Sequence, residues 1–186
     1  MRVIAGKFRR RPLLSTPSPK VRPTARRLRE ALFELLADRI EGARFLDLCA
    51  GSGAVGIEAL SRGASHVTFV DHSPKICSFI ASNLILCGVF EDQAEVLTSD
   101  AIRFLRRSAR EGGPKWDIAF FDPPYRADYE AVLDLFGASR LLRRGGRGVL
   151  VAEHYCENDL KDAIGRLRRW HRLRQGDSCL SFYERV

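Results

Sequence analysis

No apolar run in the 186-residue sequence approaches the roughly 20 residues that a helix needs to cross a bilayer. The first residues carry positive charge but no apolar stretch follows them, so a secretory signal peptide is not expected. The five cysteines are odd in number and include no Cys-x-x-Cys pair, and the four histidines are scattered. We therefore expect no membrane contact, no disulfide framework, no metal site, and a cytoplasmic protein that needs no more than a monomer.

Acidic residues are missing from the first 29 positions. That segment holds ten of the 31 Lys and Arg residues and none of the 23 Asp and Glu residues. The rest of the chain is close to neutral, so the net charge of +8 arises from the N-terminal segment. Such a concentration of positive charge favours a polyanionic partner, most commonly nucleic acid; a solvated basic tail is the alternative.

Residues 1–42 are predicted to form a basic arm and not a second full domain. Weak alternation of apolar residues around Gly6 predicts a short hairpin, and a Ser/Pro-rich connector follows at 15–23. Thr24 is the expected N-cap of an amphipathic helix, whose apolar residues recur at helical spacing from Leu28 to Ile40.

Strand and helix patterns alternate from Arg44 onward. This alternation predicts a doubly wound α/β domain with a mostly parallel sheet over residues 43–186. Strands are predicted at 44–49, 66–71, 94–98, 116–121, 147–152 and 178–184, and helices at 54–62, 74–87, 101–111, 128–139 and 157–168.

A Gly-x-Gly-x-x-Gly sequence begins at Gly51, directly after the first of these strands. Glycines let the backbone approach a ligand closely, and the start of the next helix offers unpaired N–H groups. Asp71 ends the second strand 20 residues after Gly51, where a carboxylate can accept hydrogen bonds from both ribose hydroxyls. A nucleoside cofactor is therefore predicted, with Gly51, Ser52, Gly53 and Asp71 as contacts.

Two further acids narrow the choice of cofactor. Asp47 lies four residues before Gly51, where a carboxylate repels a phosphate but attracts an ammonium group. S-adenosylmethionine carries an amino group and a sulfonium, so Asp47 favours it over NAD; a buried acid bonded to loop amides is the alternative. Asp100 and Ala101 follow the third strand and can hold an adenine edge, unless Asp100 is only a helix N-cap.

The fourth strand leads into Asp122-Pro123-Pro124-Tyr125. Ligands of parallel sheets collect at the carboxyl ends of strands, so this tetrapeptide should face the glycines. Because prolines lack N–H donors, the Asp122 carboxylate and a proline carbonyl can both accept hydrogens from one planar NH₂ group. Tyr125 can stack on the base that carries this amine, a contact worth about 1–3 kcal/mol. We predict that these four residues are catalytic; a Pro-Pro turn with an exposed tyrosine is the alternative.

FLDLCAGSGAVG, VTFVDHS and FFDPPY resemble, in that order, the motifs of class I S-adenosylmethionine-dependent methyltransferases that act on amino groups. MRVIAGKFRRRPL, RPTARRLREALFELL and QGDSCLSFY more narrowly resemble the ribosomal small-subunit RNA methyltransferase D family. The resemblance implies a Rossmann-like, mostly parallel seven-stranded sheet whose last strand is antiparallel. It implies that the protein methylates N2 of guanine 966 in 16S rRNA. The substrate would be the rRNA itself or an assembly intermediate of the small ribosomal subunit. Glu34 stands where that family is expected to have Asn, and Cys49 where Phe is frequent.

The resemblance also places part of the basic arm against RNA. The residues it places there are Arg22, Thr24 and Arg29. The positive charge of the segment adds Arg2, Lys7, Arg9, Arg10 and Arg11 to the expected RNA contacts.

Three other functions use some of the same features. A DNA adenine-N6 methyltransferase shares the chemistry, but 186 residues leave little room for a sizeable sequence-reading domain. An NAD-dependent oxidoreductase conflicts with Asp47 and the tetrapeptide. A non-catalytic RNA-binding protein needs neither an intact glycine sequence nor Asp-Pro-Pro-Tyr.

Overall fold

The computed structural model describes residues 1–14, 26–112, 115–123, 128–144 and 148–186. Within these residues six α-helices and one 3₁₀ helix, Glu91–Gln93, accompany a sheet of eight strands. The helices are α1 Arg26–Leu35, α2 Ala37–Ile40, α3 Ala54–Ser61, α4 Pro74–Cys87, α5 Ala101–Glu111 and α6 Tyr129–Ala138. The strands are β1 Arg44–Leu48, β2 His66–Asp71, β3 Ala94–Thr98, β4 Ile118–Phe121, β5 Val149–Tyr155, β6 Ala163–Ile164, β7 Leu167–Gln175 and β8 Ser178–Arg185. No helix in this part of the chain is long and apolar enough to cross a membrane.

The strand order is β3-β2-β1-β4-β5-β8-β7-β6. Strands β1 to β5 are parallel, and β8 pairs antiparallel with β5 and β7. The predicted fold class is confirmed, although the sheet has eight strands instead of seven because the two-residue β6 pairs with the start of β7. The chain connects β1 outward to β2 and later returns to β4 on the other side. A ligand crevice is therefore expected at the carboxyl ends of β1 and β4.

Alternate residues of the parallel strands enter two separate cores. One face of the sheet, with Phe45 and Phe69, packs against α1, α3, α4 and the first residues of the chain. The other face, with Leu46 and Val70, packs against α5 and α6. The central strands are covered on both faces, which explains their nearly continuous apolar sequences.

The predicted basic hairpin is part of the first core. Its two arms meet through an antiparallel bridge between Arg2 and Pro12, and Val3, Phe8 and Leu13 are buried in the core beside α3. We refer to residues 1–14 as the basic hairpin.

The helix predicted at 157–168 is wrong. Leu160, Ile164 and Leu167 are buried, which fits one face of a helix, but Gly165 adopts a left-handed conformation with φ 55°. The chain turns there and enters β7, because β8 offers a long antiparallel partner from Leu167 to Gln175.

The expectation of no disulfide is also wrong. Cys156, in the turn after β5, is bonded to Cys179 of β8, and their Cα atoms are 5.0 Å apart. The antiparallel register pairs His154 with Cys179, which brings together two cysteines 23 residues apart in sequence. Cys49, Cys77 and Cys87 are free thiols.

Candidate active site

Residues 49–53, the glycine loop, connect β1 to α3 through unusual backbone conformations. Cys49 has a positive φ of 64°, Gly51 one of 52° and Gly53 one of 72°. A Cβ atom on Gly56, in the first turn of α3, would lie 2.3 Å from the ring of Phe69, so only glycine allows this helix to approach β2. The three glycines thus turn the chain and bring the N-terminus of α3 close to the sheet.

Asp47 is buried beneath this loop. Its Oδ2 atom accepts a hydrogen bond of 2.8 Å from the backbone N–H of Gly56. Burial is the main cause that raises the pKa of Asp47 to about 7; the hydrogen bond from Gly56 opposes this rise, and the nearby charge of Asp71 adds to it. A bond of this kind, from a backbone amide just after the glycine loop, is what the alternative interpretation of Asp47 as a buried structural acid predicts.

Asp71 supports the same loop from β2. Its Oδ2 accepts a 3.1 Å hydrogen bond from the backbone N–H of Gly51, and its Oδ1 accepts one of 3.0 Å from Ser73. The carboxylate is buried, whereas the neighbouring His72 is exposed with Nδ1 3.4 Å from Oδ1. Asp71 therefore fixes the position of Gly51 in addition to any role in holding a ribose.

Asp100 is the N-cap of α5, because its side chain accepts a 2.9 Å hydrogen bond from the backbone N–H of Arg103. Ala101 is the first residue of that helix. Asp100 is exposed, so capping and a contact to a ligand are compatible.

The surroundings of Cys49 show how closely the predicted acids converge. Burial raises the pKa of the Cys49 thiol, and the carboxylates of Asp71, Asp122, Asp47 and Asp100 raise it further, in that order. Cys49, at the start of the glycine loop, is therefore within electrostatic range of acids that lie in or just after four different strands.

Asp122 lies beside the end of β1. Its backbone N–H donates a 3.3 Å hydrogen bond to the carbonyl of Leu48, which places the start of the tetrapeptide next to the glycine loop. Asp122 is partly exposed and Pro123 is buried. Pro124 and Tyr125 lie outside the described residues.

Tyr129, which the sequence did not single out, holds the far end of this segment. Its ring meets Phe121 edge-on with centroids 5.6 Å apart, and its hydroxyl donates a 3.2 Å hydrogen bond to the carbonyl of Glu153. Asp128 caps α6 by accepting a 3.0 Å hydrogen bond from Ala131. Phe121 at one end and Tyr129 at the other thus fix both ends of residues 122–128.

His154, at the end of β5, is buried and fully engaged. Its Nδ1 lies 2.7 Å from the carbonyl of Tyr155 and its Nε2 lies 2.8 Å from Oγ of Ser181. A carbonyl only accepts, so Nδ1 carries the proton and Nε2 accepts from the serine. Burial lowers the pKa of His154, which favours this neutral form. Among the described residues no group of three or more His, Cys, Asp or Glu side chains could hold a metal ion.

The basic hairpin runs along α3. Glu58, buried in α3, accepts hydrogen bonds of 2.8 and 3.0 Å from the backbone N–H groups of Ile4 and Ala5. At the end of α3, Oγ of Ser61 accepts one of 2.9 Å from the N–H of Phe8. The hairpin is therefore a fixed part of the fold and not a loose tail.

The basic side chains predicted to contact RNA differ in their exposure and in their contacts with the rest of the protein. Arg9 and Arg10 are exposed at the tip of the hairpin, whereas the Lys7 ammonium lies 3.4 Å from Oε1 of Gln93. The Arg11 guanidinium donates to the carbonyls of Leu86 and Cys87 at the end of α4. Arg2 is exposed, and Arg22 and Thr24 lie outside the described residues.

Arg29 corrects the sequence-based expectation of an RNA contact. It is only 1% exposed, its Nη2 donates a 2.8 Å hydrogen bond to the carbonyl of Arg2, and its Nε lies 3.8 Å from the Glu58 carboxylate. Burial lowers the pKa of Arg29 and the charge of Glu58 opposes that effect. Its spacing of three and four residues to Leu32 and Phe33 was the available signal for a buried position.

Comparison with known proteins gives consistent matches over this fold. A family model described as "Conserved hypothetical protein 95" matches residues 1–184. The chain is 36% identical to the Bacillus subtilis (strain 168) protein "Putative rRNA methyltransferase YlbH", over 100% of this chain and 99% of that protein. It is 41% identical to "Ribosomal RNA small subunit methyltransferase D" of Escherichia coli (strain K12), over 68% of this chain and 61% of that protein. The solved structure "Putative methyltransferase yhhF" from Escherichia coli superposes with a TM-score of 0.85 at 32% identity, over 100% of this chain and 97% of that one.

The sheet order, the glycine loop and the acids at the ends of β1 and β2 define a class I S-adenosylmethionine-dependent methyltransferase fold. The family model extends over nearly the whole sequence, including the basic hairpin. The chain belongs to the Conserved hypothetical protein 95 family.

Proposed function

We propose that this protein transfers a methyl group from S-adenosylmethionine to the N2 amine of a guanine in 16S rRNA, the guanine numbered 966, in the cytoplasm. The substrate is the RNA itself or an assembly intermediate of the small subunit. The observation that carries the proposal is the hydrogen bond from the backbone N–H of Asp122 to the carbonyl of Leu48, which brings the first residue of the Asp-Pro-Pro-Tyr sequence next to the glycine loop. The name of the relative from Escherichia coli supports rRNA as the substrate.

The residues around the glycine loop fit S-adenosylmethionine, which supplies an electrophilic methyl group when bound. In this proposal Asp71 accepts hydrogen bonds from the ribose hydroxyls, and its contact with Gly51 links that role to the shape of the loop. The pKa of Asp47 is about 7 in the ligand-free protein, and a nearby ammonium group would favour its ionised form. Asp100 and Ala101 border the adenine edge. The backbone of Gly51, Ser52 and Gly53 provides the close approach.

Asp122 and a proline carbonyl accept the two hydrogens of the guanine amine. The amine lone pair is delocalised into the base, and two acceptors help to localise it toward the methyl donor. Asp122 does not need to be a strong base, because the amine becomes acidic only as the methyl group is transferred. Tyr125 stacks on the ring, and in-line positioning accounts for most of the acceleration, about 7–11 kcal/mol for well-oriented pairs.

The basic hairpin supplies phosphate contacts. Arg9 and Arg10 are exposed at its tip, next to Ser61 at the C-terminal end of α3, while Leu14 lies near the glycine loop at the other end. Phosphate contacts fix the register of an RNA without reading its sequence, so selectivity would come from RNA shape and from an accessible guanine.

Transfer of a tritiated methyl group from S-adenosylmethionine tests the proposal. The acceptors are unmodified 16S rRNA, small subunits from cells that lack the protein, and duplex DNA, with Asp122→Ala as the inactive control. Label recovered as N2-methylguanosine from either RNA acceptor supports the proposal. Label recovered as N6-methyladenine from DNA identifies a DNA methyltransferase instead, and no transfer to any acceptor contradicts both.

A further inference from the structure

Asn83, in α4, joins two segments that the proposed function assigns to different ligands. The residue is fully buried, at 0% exposure. Its Oδ1 accepts a 2.8 Å hydrogen bond from the backbone N–H of Leu14, and its Nδ2 donates to the carbonyls of Ser52 at 3.1 Å and Leu14 at 3.4 Å. One amide group is thus bonded to the end of the basic hairpin and to the middle of the glycine loop.

The bond to Ser52 acts on the peptide that leads into the second glycine of the loop. The Ser52 carbonyl belongs to the peptide that precedes Gly53, whose φ of 72° is left-handed and whose N–H donates a 2.8 Å hydrogen bond to Ala50. A fixed Ser52 carbonyl therefore fixes the orientation of that peptide. The same loop is held from the other side by the bond between Asp71 and Gly51.

The bonds to Leu14 act on the other segment. The Leu14 side chain is 44% exposed, so its backbone is held by hydrogen bonds more than by packing. From Leu14 the hairpin returns along α3, an eight-residue helix about 12 Å long, to its basic tip beside Ser61. Asn83 thus hydrogen-bonds directly to both the end of the hairpin and the loop, in addition to the contacts that Glu58 and Ser61 make with the rest of the hairpin.

No other single side chain could make these contacts in the same way. A primary amide offers two donors and one acceptor oxygen on a short stem, whereas Asp lacks the donors and Ser has only one. Removing the amide leaves the buried carbonyl of Ser52 and the partly buried N–H of Leu14 without this partner, which favours separation of the two segments.

We propose that Asn83 is a positioning residue that couples binding of the methyl donor in the glycine loop to the placement of the basic hairpin. This inference rests on the proposed function. A ligand that orders the Ser52 peptide strengthens the contact with Asn83 and therefore holds Leu14 more firmly. Reciprocity of linkage requires that RNA bound to the hairpin tighten binding in the loop by the same factor.

Amide hydrogen exchange of the full chain tests this coupling, with S-adenosylhomocysteine as the probe. In the ligand-free protein, Asn83→Ala should make the Leu14 amide exchange about five- to tenfold faster, the loss expected for one hydrogen bond. Saturating S-adenosylhomocysteine should slow Leu14 exchange about fivefold or more in the wild type and leave it unchanged in Asn83→Ala. Leu84→Ala removes a buried side chain from the same helix without touching these bonds, and it should retain the ligand effect.

The binding constants provide the reciprocal measurement. The affinity for a 16S rRNA fragment, measured with and without S-adenosylhomocysteine, should rise with the ligand in the wild type and in Leu84→Ala but not in Asn83→Ala. Equal ligand effects in Asn83→Ala and Leu84→Ala would overturn the assignment of Asn83. If the wild-type protein binds S-adenosylhomocysteine but exchange at Leu14 does not change, only the coupling is overturned. If the wild-type protein does not bind S-adenosylhomocysteine, the proposed function is overturned as well.

Discussion

Asp47 and Gly56 are joined across the glycine loop by a 2.8 Å hydrogen bond from the backbone N–H of Gly56 to the buried carboxylate. The bond links the end of β1 to the first turn of α3. It does not offset the cost of burying the charge, because burial still raises the pKa of Asp47 from 3.8 to about 7. The loop is therefore built around an acid that is only partly ionised at neutral pH.

Asp47→Asn should stabilise the ligand-free protein increasingly as the pH rises. The folded-state pKa lies above the unfolded-state value, so ionisation of Asp47 opposes folding, progressively from about pH 4 and in full above about pH 7. Relative to wild type, the variant should gain about 2–3 kcal/mol in the free energy of unfolding between pH 5 and pH 8. Urea unfolding at both pH values measures the difference. Parallel stability changes in the two proteins would show that Asp47 does not titrate in this range.

Asp71→Ala should weaken S-adenosylmethionine binding about tenfold or more. The change removes the proposed ribose acceptor and also the acceptor of the Gly51 and Ser73 amides, so both the ligand contact and the loop are affected. Isothermal titration calorimetry measures the affinity. His72→Ala, at the exposed neighbouring position, is the control and should bind normally. Unchanged affinity in a folded Asp71→Ala protein would contradict the ribose assignment.

Asp122→Ala should separate binding from chemistry. Affinity for S-adenosylmethionine should stay within about twofold, while the single-turnover rate with saturating RNA should fall about a hundredfold or more, as for loss of one oriented polar group. Asp128→Ala is the matched control, because it removes a carboxylate from the same segment, and this carboxylate caps α6. A near-wild-type rate for Asp122→Ala would make Asp122 structural and direct attention to Tyr125.

The double variant Arg9→Gln/Arg10→Gln should bind RNA with a weaker salt dependence. If both side chains meet phosphates of a single strand, the slope of log affinity against log salt should flatten by about 1.4, or about 0.7 per contact. Arg106→Gln/Arg110→Gln is the control, since it removes the same charge from α5 on the opposite face of the sheet. An equal change in both double variants would exclude a specific role for the hairpin. Deleting the hairpin is a poorer test, because Val3, Phe8 and Leu13 belong to the core.

Glu58→Ala should lower the free energy of unfolding by about 3–5 kcal/mol, the usual cost of removing one partner of a buried ion pair. The variant leaves Arg29 buried without its carboxylate and removes the acceptor of the Ile4 and Ala5 amides. Urea unfolding measures the loss, and Glu34→Gln, an exposed change on α1, should be nearly neutral. A loss below about 1 kcal/mol would mean that the hairpin is anchored mainly by its apolar side chains.

Local signals explain which elements were predictable. The bounds of α4 and α5 agree with the prediction from the sequence. Ser73 and Asp100 are the N-caps of these helices, and each side chain accepts a hydrogen bond from the backbone N–H three residues later, so the signal is local. The glycine loop was equally readable, since its turn and its close helix packing both require glycine at fixed positions. Apolar spacing alone misled at 157–168, where pairing with β8 decided in favour of a strand.

The sequence by itself determined the α/β alternation, the glycine loop and the identity of the acids at or just beyond the carboxyl ends of β1, β2, β3 and β4, because each depends on residues close together in the chain. Only the tertiary structure decided which distant groups meet. It buried Arg29 against Glu58, bonded Cys156 to Cys179, and placed Asn83 between Leu14 and Ser52. The helical spacing of Asn83 from the buried Ile80 and Cys87 indicated a buried position, but its hydrogen-bond partners Leu14 and Ser52 are 69 and 31 residues away in the sequence. Such contacts arise from the packing of α3, α4 and the hairpin on one face of the sheet, which no local pattern encodes.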